Sequence, residues 1–426
     1  MKILMRAAKN PMQSVGPVET IRNDTVGQNS GNLLFAAGAH ALLSTIENQV
    51  DTVPSLDGRR AGRMASERYD GVVLPFANCF RGGFEKELLR TAEFIEALDV
   101  PFAMLSGGAQ VEYGDESFAA LRKIEDTAKR FCRAVLSKSS KITVRGNHTA
   151  KYIRSLGFSE VEVIGCPSLT RPGYEHAVST EASNFGHRIA YNIETRKDLM
   201  GAVLERLRVS GANLEYIAQD MATLEMFVWS REMFERKRDT RQPLHLDHTD
   251  IRSGNGLFFL DASTWIAHMR NYDMAFGPRI HGAISAISAG TPALLVAHDL
   301  RTRELAEYHE IPCIVPSDLN EIASAKDLWS RMNYSRFNQA RKHQVEVVVR
   351  HLENNGFTTS LSVGAEADRM EYFDRLSCIE FHPVVRPRNS SADSDLIAEL
   401  RRKDVQMGKQ IQAILSRLNQ LRDQVH

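Results

Sequence analysis

Cysteine is scarce in this chain. The five present (Cys79, Cys132, Cys166, Cys313 and Cys378) are odd in number and widely spaced. No Cys-x-x-Cys pair occurs, so neither a zinc site nor a disulfide framework is indicated, and a reducing compartment is the simplest reading. Long apolar runs are missing too. No window approaches the roughly 18 uninterrupted apolar residues of a membrane-spanning helix. The apolar stretch in MKILMRAAKNPMQ is far too short for a signal-peptide core. Nor is there a surplus of charge, since 53 basic and 53 acidic residues cancel. That balance gives no support to a nucleic-acid coat or a polybasic anchor. The expectation is a cytoplasmic protein, at most peripheral at the inner membrane surface, with no nucleic-acid partner and no transmembrane segment.

What is present fits a globular protein: 43% hydrophobic and 25% charged residues over 426 positions. That length exceeds one ordinary core, so two compact domains with extras are expected. Over the first 170 residues, short apolar runs (71–76, 100–105, 141–145, 161–165) alternate with helical patterns (85–98, 118–134, 150–158). Such alternation implies parallel βα units with helices on both faces of a sheet. The turn-rich stretch TRPGYEHAVSTEASNF reads as a linker. The pattern then restarts, with strands at 187–193, 214–218, 272–276 and 293–297 and helices at 197–209, 221–236 and 283–289. Residues 320–376 read as mostly helical, broken at Asn354-Asn355-Gly356. The expected organisation is an N-terminal Rossmann-like domain (1–170), a linker (171–185), a second Rossmann-like domain (186–318), a helical extension (319–385) and a second linker (386–394).

Beyond Arg386 to Ser394 the apolar residues fall on a seven-residue register. Ile397, Ile411, Leu418 and Val425 mark one seam, and Leu400, Met407, Ile414 and Leu421 the other; Asp404 interrupts the run. Sustained a/d spacing of this kind predicts a coiled coil over 395–426 and, through it, a homo-oligomer.

Several loops are suited to anions. Asn29-Ser30-Gly31-Asn32 opens a helical run, and free N–H groups at a helix start favour negative charge. Gly107 and Gly108 follow a strand and permit close approach of a ligand to backbone. Arg145 stands at a strand end before another helix, where a guanidinium can hold phosphate or carboxylate in a fork. His298-Asp299-Leu300-Arg301 occupies the same topological position after a later strand. The densest motif is Gly277-Pro278-Arg279-Ile280-His281-Gly282. If it is extended, Arg279 and His281 point the same way and Ile280 points to the core. Arginine supplies permanent charge, and histidine exchanges protons near neutral pH. His245 and His248, near Asp247 and Asp250, sit in a polar loop, and no metal site is expected there.

Taken together, these blocks resemble the polysaccharide pyruvyl transferase family. The resemblance rests on Arg279-x-His281-Gly282 with the small-residue helix that follows, Gly290-x-Pro292, and an apolar strand ending at Asp299. Supporting blocks are Asn29-x-Gly31-Asn32, Ile142-x-Val144-Arg145 with the helix ending at Leu156-Gly157, Gly165-Cys166-Pro167-Ser168, and the Trp265 helix leading to Asp273. It implies an α/β fold with two Rossmann-like halves in a GT-B-like arrangement. It also implies transfer of an enolpyruvyl-derived group from phosphoenolpyruvate to sugar hydroxyls of a glycan precursor, leaving a pyruvate ketal, with no cofactor beyond the donor. His281 and Arg279 are then the expected catalytic pair. Asn29, Gly31, Asn32, Gly107, Gly108, Arg145, Gly282, Asp299 and Arg301 are the expected substrate-binding residues. Family members often carry a lysine shortly after the aspartate of the strand that follows the Arg-x-His helix; here Arg301 stands there, and arginine holds an anion but donates a proton poorly. Two other readings fit the same architecture: a glycosyltransferase using a nucleotide-sugar donor, and a non-catalytic oligomeric scaffold.

Overall fold

A computed structural model of the chain describes residues 1–110, 117–235 and 237–388. The expected coiled coil, and the linker before it from residue 389 onward, lie outside the described residues. The strands are β1 (Lys2–Arg6), β2 (Gln49–Val53), β3 (Gly71–Pro75), β4 (Phe102–Leu105), β5 (Ile142–Val144), β6 (Val161–Val163), β7 (Arg188–Tyr191), β8 (Asn213–Ala218), β9 (Gly256–Phe258), β10 (Met274–Gly277), β11 (Ala293–Val296) and β12 (Cys313–Ile314). All their pairings are parallel, which explains why the central strands read as continuous apolar runs rather than as alternations.

They form a four-stranded sheet, β2-β1-β3-β4, and a six-stranded sheet, β12-β11-β10-β7-β8-β9; β5 and β6 pair with each other. A bridge between Gly107 and Val144 carries the first sheet on toward β5. Numbered from its own first strand, the six-stranded sheet has the doubly wound order 3-2-1-4-5-6. In such sheets ligands meet the loops at the carboxyl ends of the strands, where the strand order reverses. Here the reversal lies between β7 and β10; the loop after β10 carries Arg279, and His281 stands in the first turn of the helix that follows.

Four strands, β1, β2, β9 and β12, escaped the periodicity reading. β1 lies between β2 and β3 with Ile3, Leu4 and Met5 buried, yet MKILMR offers only three consecutive core residues between charged ones. Its strand state comes from pairing on both sides. β9 likewise lies in the stretch before Trp265 that lacks a clear pattern.

The Gly31–Leu43 helix connects the two halves. Every residue except Asn32 is buried, as expected of a helix that is apolar all round. Leu33, Leu34, Phe35 and Ala37 pack with the core of the six-stranded sheet, while Ala36, Ala39, Leu42 and Leu43 pack with that of the four-stranded sheet. Gly38 permits the closest approach: a Cβ there would lie 2.2 Å from the Pro167 carbonyl oxygen. The Ile280–Ala289 helix is similarly apolar and stops at Gly290, whose φ of 87° is the left-handed stop that glycine adopts without strain.

Three core histidines set an acid limit on stability. Burial pushes His40, His309 and His351 down to about 4, and the Arg375 cation adds to the effect at His40. The unfolded chain takes up their protons near pH 6.5, but the folded chain does not until about pH 4. Their contribution to stability is therefore complete above pH 6.5 and is lost as pH falls toward 4. Each histidine costs about 1.4 kcal/mol per pH unit across that window. Urea midpoints are expected to drop markedly between pH 7 and pH 5, with His351→Gln flattening the slope; equal midpoints at the two pH values would contradict this.

Candidate active site

Loops from the two sheets bond directly to each other. Ser30 N–H donates to the Gln219 carbonyl (2.9 Å), Met221 N–H to the Gln28 carbonyl (3.2 Å), and Asn29 bridges Asp220. Thr149, just after β5, donates its N–H and hydroxyl to the Glu304 carboxylate at 2.9 and 2.8 Å. Cys166 N–H donates to His309 Nε2 (2.8 Å), and His309 Nδ1–H then donates to Gln344 (3.0 Å), which fixes the His309 tautomer.

His281 lies in the middle of this junction. Its ring rests on Gly31, where a Cβ would stand 2.6 Å from His281 Nδ1, and its Nε2 is 3.9 Å from Cys166 Sγ. Cys166 Sγ in turn lies 3.1 Å from the Ser168 hydroxyl. Desolvation first, then the cations Arg145, Arg301 and Arg279, push the imidazole down to about 3, so it is neutral in the empty protein.

The stretch around Arg279 is extended only as far as that residue. Arg279 (φ −91°, ψ 113°) caps the helix that starts at Ile280, so His281 stands in the first helical turn rather than beside Arg279 on a strand edge. The Arg279 guanidinium turns to the Asp220 carboxylate (2.5 and 2.7 Å), to Glu194 (3.4 Å) and to the Ile193 carbonyl (3.2 Å). Its charge is thus matched by acids from the loops after β7 and β8, and it ties three strand ends together. Asp220 is held above its usual carboxylate range by burial despite this partner. Arg279→Met, which strands a largely buried Asp220, is expected to destabilise the protein by about 2–4 kcal/mol, with Asp220→Asn restoring part of the loss in the double variant. Wild-type urea unfolding of Arg279→Met would remove the ion pair from the structural account.

Two other arginines of the junction keep guanidinium nitrogens without a protein partner. Arg145 is 5% exposed and its Nε has no protein partner. Gly108 makes room for it, since a Cβ at that glycine would lie 2.4 Å from Arg145 Nε. Arg301 Nε is likewise buried and unpartnered, with one NH2 group 3.1 Å from Asp299. Arg81, in the loop after β3, lies near Arg301 and Arg196: burial lowers its pKa first, and those two cations lower it further. Its guanidinium is 4.4 Å from the Phe84 ring centroid. Neither Arg81 nor Arg196 carries a sequence signal, because Arg81-Gly82-Gly83 reads as an ordinary turn and Arg196-Lys197 as a solvated helix start.

The remaining expected residues divide by role. Asn29 Oδ1 accepts from Gly31 N–H (2.8 Å) and shapes the loop under His281. Asn32 is exposed and donates to the Val26 and Gly27 carbonyls, which ties its own loop rather than facing the cluster. Gly107 serves the backbone bridge to Val144. Gly282 admits the Asn192 and Gln219 amides, at 2.3 and 2.9 Å from where a Cβ would stand. Asp299 caps the Leu300–His309 helix by accepting from Thr302 N–H (2.7 Å) and holds Arg301. The start of the Asn147–Ser155 helix, next to Arg145, is filled by the Glu304 carboxylate, which accepts from Thr149 N–H. Ser30 Oγ and both amide atoms of Gln219 are buried without a protein partner close to His281. Among the described residues no group of three or more His, Cys, Asp or Glu side chains is arranged to hold a metal, and no helix is long and apolar enough to cross a membrane.

The sequence profile of the polysaccharide pyruvyl transferase family matches residues 29–299, well over half of the chain. The protein is a transferase of that class, and it belongs to the polysaccharide pyruvyl transferase family. No curated protein matches the sequence. Solved structures with a similar trace include the UDP-GlcNAc 2-epimerase of Methanocaldococcus jannaschii (10% identity, 83% of this chain and 99% of that one, TM-score 0.39). Others are a UDP-bound MnaA of S. aureus (10% identity, 83% and 96%, TM-score 0.39) and the wall teichoic acid polymerase TagF (9% identity, 88% and 88%, TM-score 0.35). At such low identity and TM-score these likenesses say nothing about this chain's chemistry.

Proposed function

We propose that the protein transfers an enolpyruvyl-derived group from phosphoenolpyruvate to two hydroxyls of a glycan precursor, with the two sheets arranged as GT-B-like halves around the junction at His281. The observation that carries this reading is a neutral histidine beside two arginines, Arg145 and Arg301, whose buried Nε atoms have no protein partner. The donor bears a phosphate and a carboxylate, and Arg145 and Arg301 have unpartnered guanidinium nitrogens for them. Arg81 and Arg196 add charge on the same side.

The donor's negative charge would offset the repulsion that keeps His281 neutral, so the imidazole takes up a proton as the donor binds. His281 then protonates the vinyl carbon, making it a methyl group and leaving the adjacent carbon cationic. One acceptor hydroxyl adds to that carbon and gives its proton to the now neutral His281. The bond from carbon to the phosphate oxygen breaks, phosphate departs with its electron pair and the proton from His281, and the second hydroxyl closes the ketal. The second hydroxyl's proton restores the one used at the vinyl carbon. Gln219, with an unpaired donor and an unpaired acceptor, is suited to a pair of hydroxyls.

The test is release of inorganic phosphate from phosphoenolpyruvate in the presence of sugar acceptors, alongside release of nucleoside diphosphate from sugar nucleotides. Phosphate release supports the reading. Nucleoside diphosphate release alone would replace it with a glycosyltransferase, and neither activity would leave a scaffold.

A further inference from the structure

We propose that a cavity at the far end of the Gly31–Leu43 helix binds a glycosyl unit, an uncharged sugar ring either free or within a glycan. The cavity measures about 450 Å³, within the range of small-molecule sites (about 300–1,000 Å³). It lies between the last turn of that helix, the segment leading into β2, and the Glu366–Ser377 helix. Gly31, under His281, and His40, in the cavity wall, stand nine residues apart on that helix, a distance of about 14 Å at 1.5 Å per residue. It is therefore a separate site, and it does not depend on the proposed transfer.

The wall chemistry selects the ligand. Tyr372 lines the cavity and is 3% exposed, and its buried hydroxyl has no hydrogen-bond partner. Leaving such a group unpaired is costly, so it marks a position where a ligand atom would be held. The Tyr372 ring lies against His40, centroid to centroid 5.8 Å, and the two form an aromatic wall. His40 itself is occupied, with Nδ1 on the Ser44 hydroxyl at 3.0 Å.

Around that wall, donors and acceptors alternate. The Arg375 guanidinium and Glu47 carboxylate make no ion pair among the described residues. Asn10 uses its Oδ1 on Met12 N–H, which leaves its NH2 group, and Gln49 uses its Nε2 on Asp51, which leaves its Oε1. A phosphate would meet the Glu47 carboxylate, and a hydrocarbon would strand the polar groups. A sugar ring suits both features: its C–H face lies on an aromatic wall, and each hydroxyl donates and accepts.

The test uses the full chain and titrates it with the methyl glycosides of glucose, galactose, mannose and N-acetylglucosamine, with inorganic phosphate and free glutamate as charged comparisons. Binding of at least one glycoside at millimolar concentration is expected. Tyr372→Phe and Arg375→Ala are each expected to weaken it about tenfold, the loss of one hydrogen bond in a desolvated site. Because the Tyr372 hydroxyl has no partner, Tyr372→Phe is expected to unfold at the same or higher urea concentration. His281→Ala is expected to leave this binding intact, which separates the cavity from the junction. The proposal is overturned if no glycoside binds, if only phosphate or glutamate binds, or if binding survives both cavity variants or is lost in His281→Ala.

Discussion

His281→Ala is expected to lower phosphate release from phosphoenolpyruvate by about 10²–10⁴-fold, the usual contribution of a general acid–base group. The reason lies in its surroundings. In the empty protein the ring is held neutral near pKa 3 by burial and by Arg145, Arg301 and Arg279. A donor that neutralises two of those cations raises the imidazole's proton affinity where a proton is needed. Donor binding by the wild type is therefore expected to take up about one proton more than binding by His281→Gln, read as the buffer dependence of the calorimetric heat. The fold is expected to survive, because the ring rests on Gly31 and Cys166 rather than filling the core of either sheet. Equal proton uptake in the two proteins, or unchanged turnover in His281→Ala, would sink the assignment.

Arg145→Met is expected to reduce affinity for phosphoenolpyruvate, and for inorganic phosphate, by about 100-fold, a loss typical of one bidentate charge-assisted contact. Stability is expected to move the other way. Arg145 is 5% exposed, its Nε is unpartnered, and burial lowers its pKa, with Glu304 opposing that shift and Arg301 adding to it. The buried guanidinium is a strain on the empty fold, so methionine of similar length is expected to leave the urea midpoint unchanged or raised. Removing that charge also relieves His281, whose pKa is expected to rise and can be followed by its imidazole resonances across pH. A purely structural Arg145 would give the opposite pair of results: lower stability with unchanged anion binding.

The contrast between Arg145 and Arg279 shows where residue-level reading stops. Both stand at strand ends before helices, and both qualify as anion ligands by type. The structure gives Arg279 two carboxylates, from loops 59 and 85 residues away in sequence, and leaves Arg145 Nε with none. Local sequence cannot distinguish them, because the partners come from other βα units. The same limit hides Arg81 and Glu304. Arg81 comes near Arg196 and Arg301, far along the chain, and Glu304 fills the start of a helix 155 residues before it.

The sequence by itself determined the α/β class, the parallel βα order from residue 71 to about 297 apart from β9, the Gly290 helix stop and the family blocks, including Arg279-x-His281-Gly282. These are local: apolar period, glycine at a positive φ and residue order carry them without reference to distant chain. The tertiary structure alone decided that Lys2–Arg6 is a central strand, that the Gly31–Leu43 helix belongs to both cores, and which charged groups are matched. Strand pairing, helix sharing and ion pairing are contacts between segments far apart in the chain. Their energies depend on burial and on the identity of the partner, and neither is written at the position itself.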